Sequence, residues 1–288
     1  VLMAPVGTLS DVDSADLNRM TVTLTARPNG NAVESLSLNA SATTVASGAG
    51  LTVSYMASTG VLLISGTAST ATYQTILQGI LYNNTSDQPT TSSRSITVVA
   101  RDSTNASSTS RTATVTVTAV NDAPTIASLS GDSRAYSEGA GAVVIESGNA
   151  VVADVDSTNL DAGTLTVSIP AGGDAAEDVL SIRNQGTGAG QIGVSSNTIT
   201  YQGVTIGTFT GGSGGSDLVI TFNASATPTA VTALVRNITY QNTDTNAPTT
   251  GARTVRFVLT DGDGGTSPSY DTTVTVSAVN DAPTDLAL

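Results

Sequence analysis

The sequence Ala119-Val120-Asn121-Asp122-Ala123-Pro124-Thr125 occurs a second time as Ala278-Val279-Asn280-Asp281-Ala282-Pro283-Thr284. Each copy follows a stretch in which apolar residues alternate with threonine or serine, at 112–118 and 272–277. Such alternation is typical of a half-buried β-strand, and Asn-Asp just before Ala-Pro is typical of a turn. Seven identical residues in a row are far beyond chance, so the chain contains tandem repeats and this segment is their junction.

Other landmarks recur in the same order. Asp11-Val12-Asp13-Ser14 matches Asp154-Val155-Asp156-Ser157, and 94–102 matches 253–261 with equal internal spacing. The repeat is therefore roughly 150–160 residues long, which exceeds the ~100 residues of a minimal immunoglobulin-type sandwich. We expect a repeat that lacks its first strand at 1–120, a complete repeat at 121–281, and the start of a further repeat or a donor strand at 282–288.

The composition predicts an all-β fold. Val, Ile and Thr, which favour pleated, half-buried surfaces, are abundant, and Gly and Asn are frequent, as many tight turns require. Two stretches are predicted to be helical, Thr70–Gly79 and Thr227–Asn237; in the second, Thr227 precedes Pro228 as a cap precedes a first-turn proline. The clearest strand predictions are 21–25, 51–55, 62–65, 96–100 and 112–118, and in the second repeat 142–145, 165–169, 198–201, 204–209, 218–222, 255–260 and 272–276.

Charge and missing residue types exclude several functions. The net charge is −13, so we expect neither nucleic acid, which requires a basic patch, nor an anionic membrane surface as a partner. No apolar run approaches the ~18 residues that a membrane-spanning helix needs, so no membrane insertion is expected. The chain has no His, the commonest general base, and its paired carboxylates fall once per repeat, so we predict that it is not an enzyme.

The paired carboxylates should converge at one pole of each sandwich. When strands alternate in direction, the loop after the second strand and the loop before the last strand both lie beside the preceding junction. In the second repeat these loops carry Asp154 with Asp156 and Asp261 with Asp263, and the junction carries the pair Asn121-Asp122. Calcium takes six to eight oxygen ligands of this kind. We therefore predict a calcium site there, although Asx turns alone would also explain these aspartates.

The same reasoning extends the prediction to two further places. Asp11, Asp13 and Asp102 should meet at the corresponding pole of the first repeat, and Asn280 and Asp281 should form half of a site at the opposite pole of the second, where Glu138 could join them. Two tyrosines that follow the predicted helices, Tyr82 and Tyr240, are interpreted as core residues.

Together, the Asn-Asp-Ala-Pro junction, the Asp-x-Asp motif and the Asp in the penultimate loop resemble cadherin-type repeats, in particular those of large bacterial surface proteins and repeat-type adhesins. The resemblance implies tandem cadherin- or immunoglobulin-like β-sandwiches, with one short helix per repeat, and calcium between consecutive repeats. The chain departs from cadherins in having no recognisable Asp-x-Glu in the middle of each repeat.

Three functional hypotheses follow. The leading one is a structural or adhesive extracellular segment on a bacterial surface, rigidified by calcium at its junctions. A second is the subunit of an extracellular filament, in which the tail 284–288 of one subunit adds a strand to the open sheet of the next. A third is a polysaccharide-binding module. The expected partners are neighbouring repeats or identical subunits, and a cell-surface or polysaccharide ligand is a further candidate.

Overall fold

The computed structural model describes residues 1–282, so the prediction for 282–288 lies almost entirely outside the described residues. The chain divides into two compact units, Val1–Val120 and Asn121–Leu288, which we call the first and the second unit. Among residues 1–282, no helix is long and apolar enough to cross a membrane.

The first unit has a sheet of five strands in the order β3-β4-β1-β6-β7 and a second sheet formed by β2 and β5. All of its strand pairs are antiparallel. Its elements are β1 (Asp16–Leu24), β2 (Glu34–Leu38), α1 (Ala40–Gly48), β3 (Thr52–Met56), β4 (Val61–Ser69), α2 (Thr70–Gln78), β5 (Ile80–Asn84), β6 (Arg94–Asp102) and β7 (Arg111–Val115).

The second unit has an eight-stranded sheet in the order β14-β15-β16-β17-β12-β19-β20-β9, a three-stranded sheet β10-β18-β13, and a pair formed by β8 and β11. Strand β9 runs parallel to β20, and the other pairs are antiparallel. Its elements are β8 (Thr125–Ala127), β9 (Ser133–Ser137), β10 (Val143–Val144), β11 (Val151–Ala153), β12 (Thr164–Ala171), β13 (Asp178–Ile182), β14 (Ile192–Ser195), β15 (Thr198–Tyr201), β16 (Val204–Thr210), β17 (Leu218–Phe222), α3 (Pro228–Val235), β18 (Ile238–Asn242), β19 (Gly251–Leu259) and β20 (Tyr270–Ser277).

Both predicted helices are confirmed, and each begins at a side-chain cap. The Ser69 hydroxyl accepts a hydrogen bond from the amide of Thr72 at the start of α2, and the Thr227 hydroxyl accepts one from Ala230 at the start of α3. The first unit contains a further helix, α1, which the sequence analysis does not predict. Its cap is Asn39, whose side-chain oxygen accepts from the amide of Ala42 at 2.8 Å.

The prediction of an all-β sandwich fold is confirmed. Each unit has its own hydrophobic core, made by the alternate residues that its strands turn inward. In β1, for example, Met20, Val22 and Leu24 are fully buried, and the residues between them are partly exposed. Both Tyr82 and Tyr240 are buried, so their interpretation as core residues is also confirmed.

Each core contains a buried ion pair that joins the two sheets of its unit. In the first unit, Nε of Arg94 on β6 donates to Oε2 of Glu34 on β2 at 3.0 Å, and both side chains are fully buried. In the second unit, Nε of Arg253 on β19 lies 3.2 Å from Oδ2 of Asp178 on β13. A charge in the interior is tolerated only when it is paired and its remaining polar atoms are hydrogen-bonded.

The tyrosines complete these two clusters. The Tyr82 hydroxyl donates to Oε2 of Glu34 at 2.9 Å, and the Tyr240 hydroxyl donates to Oδ1 of Asp178 at 2.5 Å. In the second unit, the ring of Tyr136 on β9 packs edge-on against Tyr240, with centroids 5.2 Å apart. The carboxylate, guanidinium and phenol therefore recur in the same places in both units, with Glu34 replaced by the shorter Asp178.

We predict that breaking the pair by removing its arginine is far more costly than breaking a surface pair. Arg253→Ala leaves Asp178 buried without its cation and should destabilise the second unit by about 3–5 kcal/mol. The matched control is Arg256→Ala: its pair with Asp271 has the same kind of geometry at 2.8 Å, but the two side chains are 40% and 43% exposed, so the loss should be under about 1 kcal/mol. Urea unfolding followed by circular dichroism measures both, and equal losses would contradict the prediction.

Acid should destabilise the first unit through Glu34. Burial alone would raise the pKa of this carboxyl, but the hydrogen bonds from Arg94, the Asn29 amide and Tyr82 lower it below its ordinary value of 4.5. A group with a lowered folded-state pKa contributes stability that is complete above its unfolded pKa and is lost as the pH falls towards the folded pKa. The urea concentration at the midpoint of unfolding should therefore decrease as the pH is lowered below about 4.5. Glu34→Gln should reduce this pH dependence. An unchanged pH profile in that variant would show that other carboxyls govern acid unfolding.

Candidate metal centre

The Asp-x-Asp motif of the second unit follows β11, which pairs with β8, the first strand after the junction. Oδ1 of Asp154 accepts hydrogen bonds from the amides of Asp156 at 3.2 Å and Ser157 at 2.9 Å. This is an Asx turn, the alternative to a calcium ligand that the sequence analysis left open. It accounts for Oδ1 of Asp154 but not for Oδ2. The turn directs the chain so that Oδ2 of Asp156 accepts from the amide of Asp122 at 3.1 Å.

The penultimate loop reaches the junction from the other side. Asp261 follows β19 and is fully buried, and its Oδ1 accepts from the amides of Asp263 at 2.8 Å and Gly265 at 2.9 Å. Its Oδ2 accepts from the side-chain amide of Asn121 at 2.7 Å. Asn121 and Asp122 are therefore each hydrogen-bonded to a different acidic loop of the second unit.

A glycine makes the contact between this loop and the junction possible. A Cβ added at Gly265 would lie 2.1 Å from Oδ2 of Asp261, 2.8 Å from Cα of Ala123 and 2.9 Å from Nδ2 of Asn121. Only a residue without a side chain allows the backbones to approach this closely. The sequence analysis did not single out Gly265, although the Gly-rich stretch 261–265 signals a turn.

The two acidic loops have opposite electrostatics. Burial raises the pKa of Asp154, and the neighbouring Asp156 carboxylate adds to the effect. Burial would also raise the pKa of Asp261, but the hydrogen bonds from Asn121, Asp263 and Gly265 outweigh it and lower that pKa. The Asp261 charge is thus compensated by donors, whereas Asp154 is partly buried next to a like charge.

Oδ2 of Asp154 is the atom that bears on cation binding. It is buried and has no hydrogen-bond partner, although a buried carboxylate oxygen normally has one. Hard cations prefer carboxylate and amide oxygens, and those of Asp154, Asp156, Asp261 and Asn121 are of this type. Within residues 1–282, however, no three Asp or Glu side chains are grouped closely enough to hold a metal ion by themselves. A cation here would therefore also need amide, backbone or water oxygens. Asp263 is exposed, and its backbone amide donates to Oδ1 of Asp261.

The first unit repeats the local geometry of both loops. Oδ1 of Asp11 accepts from the amides of Asp13 at 3.1 Å and Ser14 at 2.9 Å, as Asp154 does in the second unit. Oδ1 of the buried Asp102 accepts from the amide of Ala106 at 2.8 Å and the hydroxyl of Thr104 at 2.9 Å. The side-chain contact between Asp11 and Asp13 raises the pKa of Asp13.

The second copy of the junction also contacts an acidic residue. Oε2 of Glu138, just after β9, accepts from the amide of Val279 at 2.8 Å, and its Oε1 is buried with no hydrogen-bond partner. Asn280 and Asp281 are exposed. The Asn280 side chain donates to the carbonyl of Asp281 at 3.2 Å, as Asn121 does to the carbonyl of Asp122, so this contact recurs in both copies of the junction. The structure thus brings Glu138 to the second junction.

Comparison with known proteins gives no matching family model and no matching curated protein. Among solved structures, the chain is similar to Drosophila N-cadherin EC1-3 (13% identity, 96% of this chain, 61% of that chain, TM-score 0.25) and to the protocadherin gamma B2 extracellular cadherin domains 1-5 (12%, 86%, 32%, 0.31). It is also similar to the fibronectin(III)-like modules of Clostridium thermocellum CbhA (9%, 93%, 82%, 0.21). The chain spans less than two thirds of the length of either cadherin structure. Similarities of this size do not assign it to a family.

We predict that Gly265→Ala loosens the contact between Asn121 to Ala123 of the junction and the loop that carries Asp261. The added Cβ must displace the Asp261 carboxylate or the backbone at Ala123, and overpacking of this kind costs about 1–3 kcal/mol. Limited proteolysis should cut between the units sooner than in the unsubstituted protein. Gly48→Ala is the control, because a Cβ there meets no atom within 4 Å. Equal cleavage rates in the two variants would contradict the close approach at Gly265.

Proposed function

We propose that the chain is a structural segment of an extracellular bacterial stalk or adhesin, built from β-sandwich repeats whose junctions bind calcium. The observation that carries the proposal is the attachment of one junction to two acidic loops: Asn121 to Asp261 at 2.7 Å, and Asp122 to Asp156 at 3.1 Å. A junction that served only as a flexible tether would not need to contact either loop.

The residues that would hold the ion are Asp154, Asp156, Asp261 and Asn121. All four offer oxygen, and the chain has no His or Cys, so the donor set suits a hard cation and not a transition metal. The buried, unpartnered Oδ2 of Asp154 supports the choice of this pole. When bound, calcium would supply positive charge that offsets the repulsion between neighbouring carboxylates.

The mechanical role follows from what these residues do to the junction. Asn121 and Asp122 are the first residues after Val120, where the second unit begins. Each hydrogen bond from them to the second unit removes rotational freedom from the chain at the hinge. The negative charges of Asp154 and Asp156 repel each other, and this repulsion helps to raise the pKa of Asp154. The repulsion opposes the ordered arrangement of the loop at the hinge. A bound cation that reduced the repulsion would therefore make the hinge stiffer.

The second copy of the junction extends the proposal along the chain. Glu138 already accepts the amide of Val279, and Asn280 and Asp281 follow directly. Together they would supply one half of a site whose other half is the acidic pole of a following repeat. The carboxylates take part in turns and junction contacts, which favours a structural role over catalysis.

We predict that calcium stabilises the second unit, with a Kd of about 10⁻⁴ to 10⁻³ M, as in other extracellular modules. Calorimetric titration should show binding, and Asp154→Asn and Asp156→Asn should each weaken it about tenfold or more, since each removes a carboxylate ligand. The control is Asp217→Asn, which makes the same charge change at the exposed tip between β16 and β17. Circular dichroism without calcium confirms that each variant is folded. Equal affinity in all variants would show that calcium, if it binds, does so elsewhere.

The mechanical part of the proposal is tested separately by small-angle X-ray scattering. The distribution of dimensions should be narrower in calcium than in chelator, and it should be insensitive to calcium in Asp154→Asn. Identical scattering curves for the unsubstituted protein in both conditions would refute stiffening even if calcium binds.

A further inference from the structure

The first unit has an open sheet edge at β3, where the second unit continues its sheet. The two large sheets correspond at their centres, because β1 lies between β4 and β6 as β12 lies between β17 and β19. Beyond β4 the first unit adds β3 alone, whereas beyond β17 the second unit adds β16, β15 and β14. Strand β3 therefore takes the place of β16, and its outer edge pairs with no strand among residues 1–282.

Strand β3 is accessible along most of its length. Four of its five residues are exposed, and Val53 remains 38% exposed although Ile64, directly opposite on β4, is fully buried. Helix α1, which precedes β3, packs mainly against α2. Within residues 1–282, the β3 backbone makes its contacts outside the ladder with β4 at Met56, whose carbonyl accepts from the amides of Thr59 and Gly60 in the following turn. A free edge of this kind presents a row of unpaired amides and carbonyls.

Side chains close the corresponding edge of the second unit. At β14, the Asn184 side chain donates to the carbonyl of Val194 and accepts from its amide, both at 3.1 Å. Beside it, the side-chain oxygen of Gln185 accepts from the amide of Ile192 at 3.2 Å, and the Gln185 amide donates to the Ile192 carbonyl at 2.7 Å. These bonds use the backbone groups that a further strand would need. The edge of the second unit is therefore capped, whereas among residues 1–282 no side chain caps β3 in this way.

The surroundings of β3 carry no charge that would keep a second copy away. Residues 35–86, which include α1, β3, β4, α2 and β5, contain no Asp, Glu, Lys or Arg, although the net charge of the chain is −13. Edge strands are commonly protected from pairing by Lys, Pro or a bulge. Strand β3 has neither Lys nor Pro, and it pairs with β4 without a register shift. An identical edge can thus approach it without repulsion.

The second unit indicates which sequence covers such an edge. Strand β15, which pairs with the outer edge of β16, has the sequence Thr198-Ile199-Thr200-Tyr201, and Ile199 is fully buried. Strand β3 begins Thr52-Val53-Ser54-Tyr55, which has the same order of hydroxyl, β-branched, hydroxyl and tyrosine side chains. A second copy of β3 therefore offers β3 the same kind of strand that β15 offers β16.

We propose that two copies of this protein associate through their β3 strands. The occupant of the open edge is β3 of a second chain, antiparallel and related by a twofold axis at Ser54, so that two five-stranded sheets become one ten-stranded sheet. This register uses all five residues of β3. It places Val53 opposite Tyr55 of the second copy on the core-facing side, and a β-branched residue opposite an aromatic one is a favourable cross-strand pair.

The dimer joins two chains side by side, which goes beyond the proposed role of the junctions along one chain. It does not depend on calcium, because none of the proposed calcium ligands lies on β3. The pairing of one short strand from each chain is a small interface, so a single contact is weak. On a surface that carries many copies, such contacts add up through multivalency.

Sedimentation velocity of the 288-residue protein in chelator, from about 1 µM to about 1 mM, should show a monomer–dimer equilibrium. Ser54→Lys and Ser54→Glu should each weaken the dimer at least about tenfold, because identical charges then lie opposite each other. An equimolar mixture of these two variants should restore association, because the facing charges are then of opposite sign. The control is Ser195→Lys on the capped strand β14, which should leave the dimer unchanged.

Single cysteines test the register, since the chain has no native Cys. Mild oxidation of Ser54→Cys should give a disulfide-linked dimer, because Cα atoms directly opposite each other in antiparallel strands lie about 4.5–5.5 Å apart. Thr52→Cys is the matched control on the same face of β3. Its two copies would be four residues apart along the strands, about 13 Å, which is too far for a disulfide.

Three results would overturn the proposal. One is a protein that stays monomeric up to about 1 mM in chelator. Another is equal association of Ser54→Lys and Ser195→Lys, which would place the contact elsewhere on the chain. The third is equal crosslinking of Ser54→Cys and Thr52→Cys, which would exclude pairing centred on Ser54. Circular dichroism of each variant guards against misreading a folding defect, and restored association in the mixture shows that both charged variants keep the edge intact.

Discussion

The buried ion pair that joins the two sheets of each unit lies on the strand that leads to Asp102 in the first unit and to Asp261 in the second. Arg94 and Arg253 each extend from the large sheet to a carboxylate on the small one, and a tyrosine donates to the same carboxylate. A one-residue slip of either strand would turn the charged side chain out of the cluster and leave its partner buried alone. The pair therefore specifies register as well as contributing to stability, and it does so between strands that are distant in sequence.

The register of β19 also determines where Asp261 lies relative to the junction. Arg253 lies inside the sandwich, and Asp261 follows eight residues later, which is about 26 Å along an extended strand. Once Arg253 is fixed, β19 can deliver Asp261 only to the pole where Asn121 lies. The first unit has the same spacing from Arg94 to Asp102. The arginine of the core cluster and the aspartate of the acidic loop lie at the two ends of one strand. The register that the buried ion pair fixes therefore also fixes the position of the acidic loop.

Much of this could be predicted from the sequence, because the repeated junction and the alternating strands are strong local signals. The twin acidic loops were predicted to face the junction, and Asp156 and Asp261 do contact it. Glu34 and Asp178 were missed, since a lone acid at the start of a strand looks like a solvated residue and its arginine is 60 or 75 positions away. Helix α1 was missed because Ala, Ser and Thr give no apolar periodicity there. The buried oxygens of Asp154 and Glu138 depend on packing that no local pattern records.

The shorter acid in the second cluster has a consequence for how such a chain folds. Tandem sandwiches of similar sequence are prone to exchange strands with their neighbours while they fold. Here the strand that carries Glu34 pairs with the buried Arg94, and the strand that carries Asp178 pairs with the buried Arg253. A strand inserted into the wrong unit would bring a carboxylate one methylene too long or too short to a buried arginine. The difference of one methylene between the two acids would therefore disfavour pairing with the strand of a neighbouring repeat during folding.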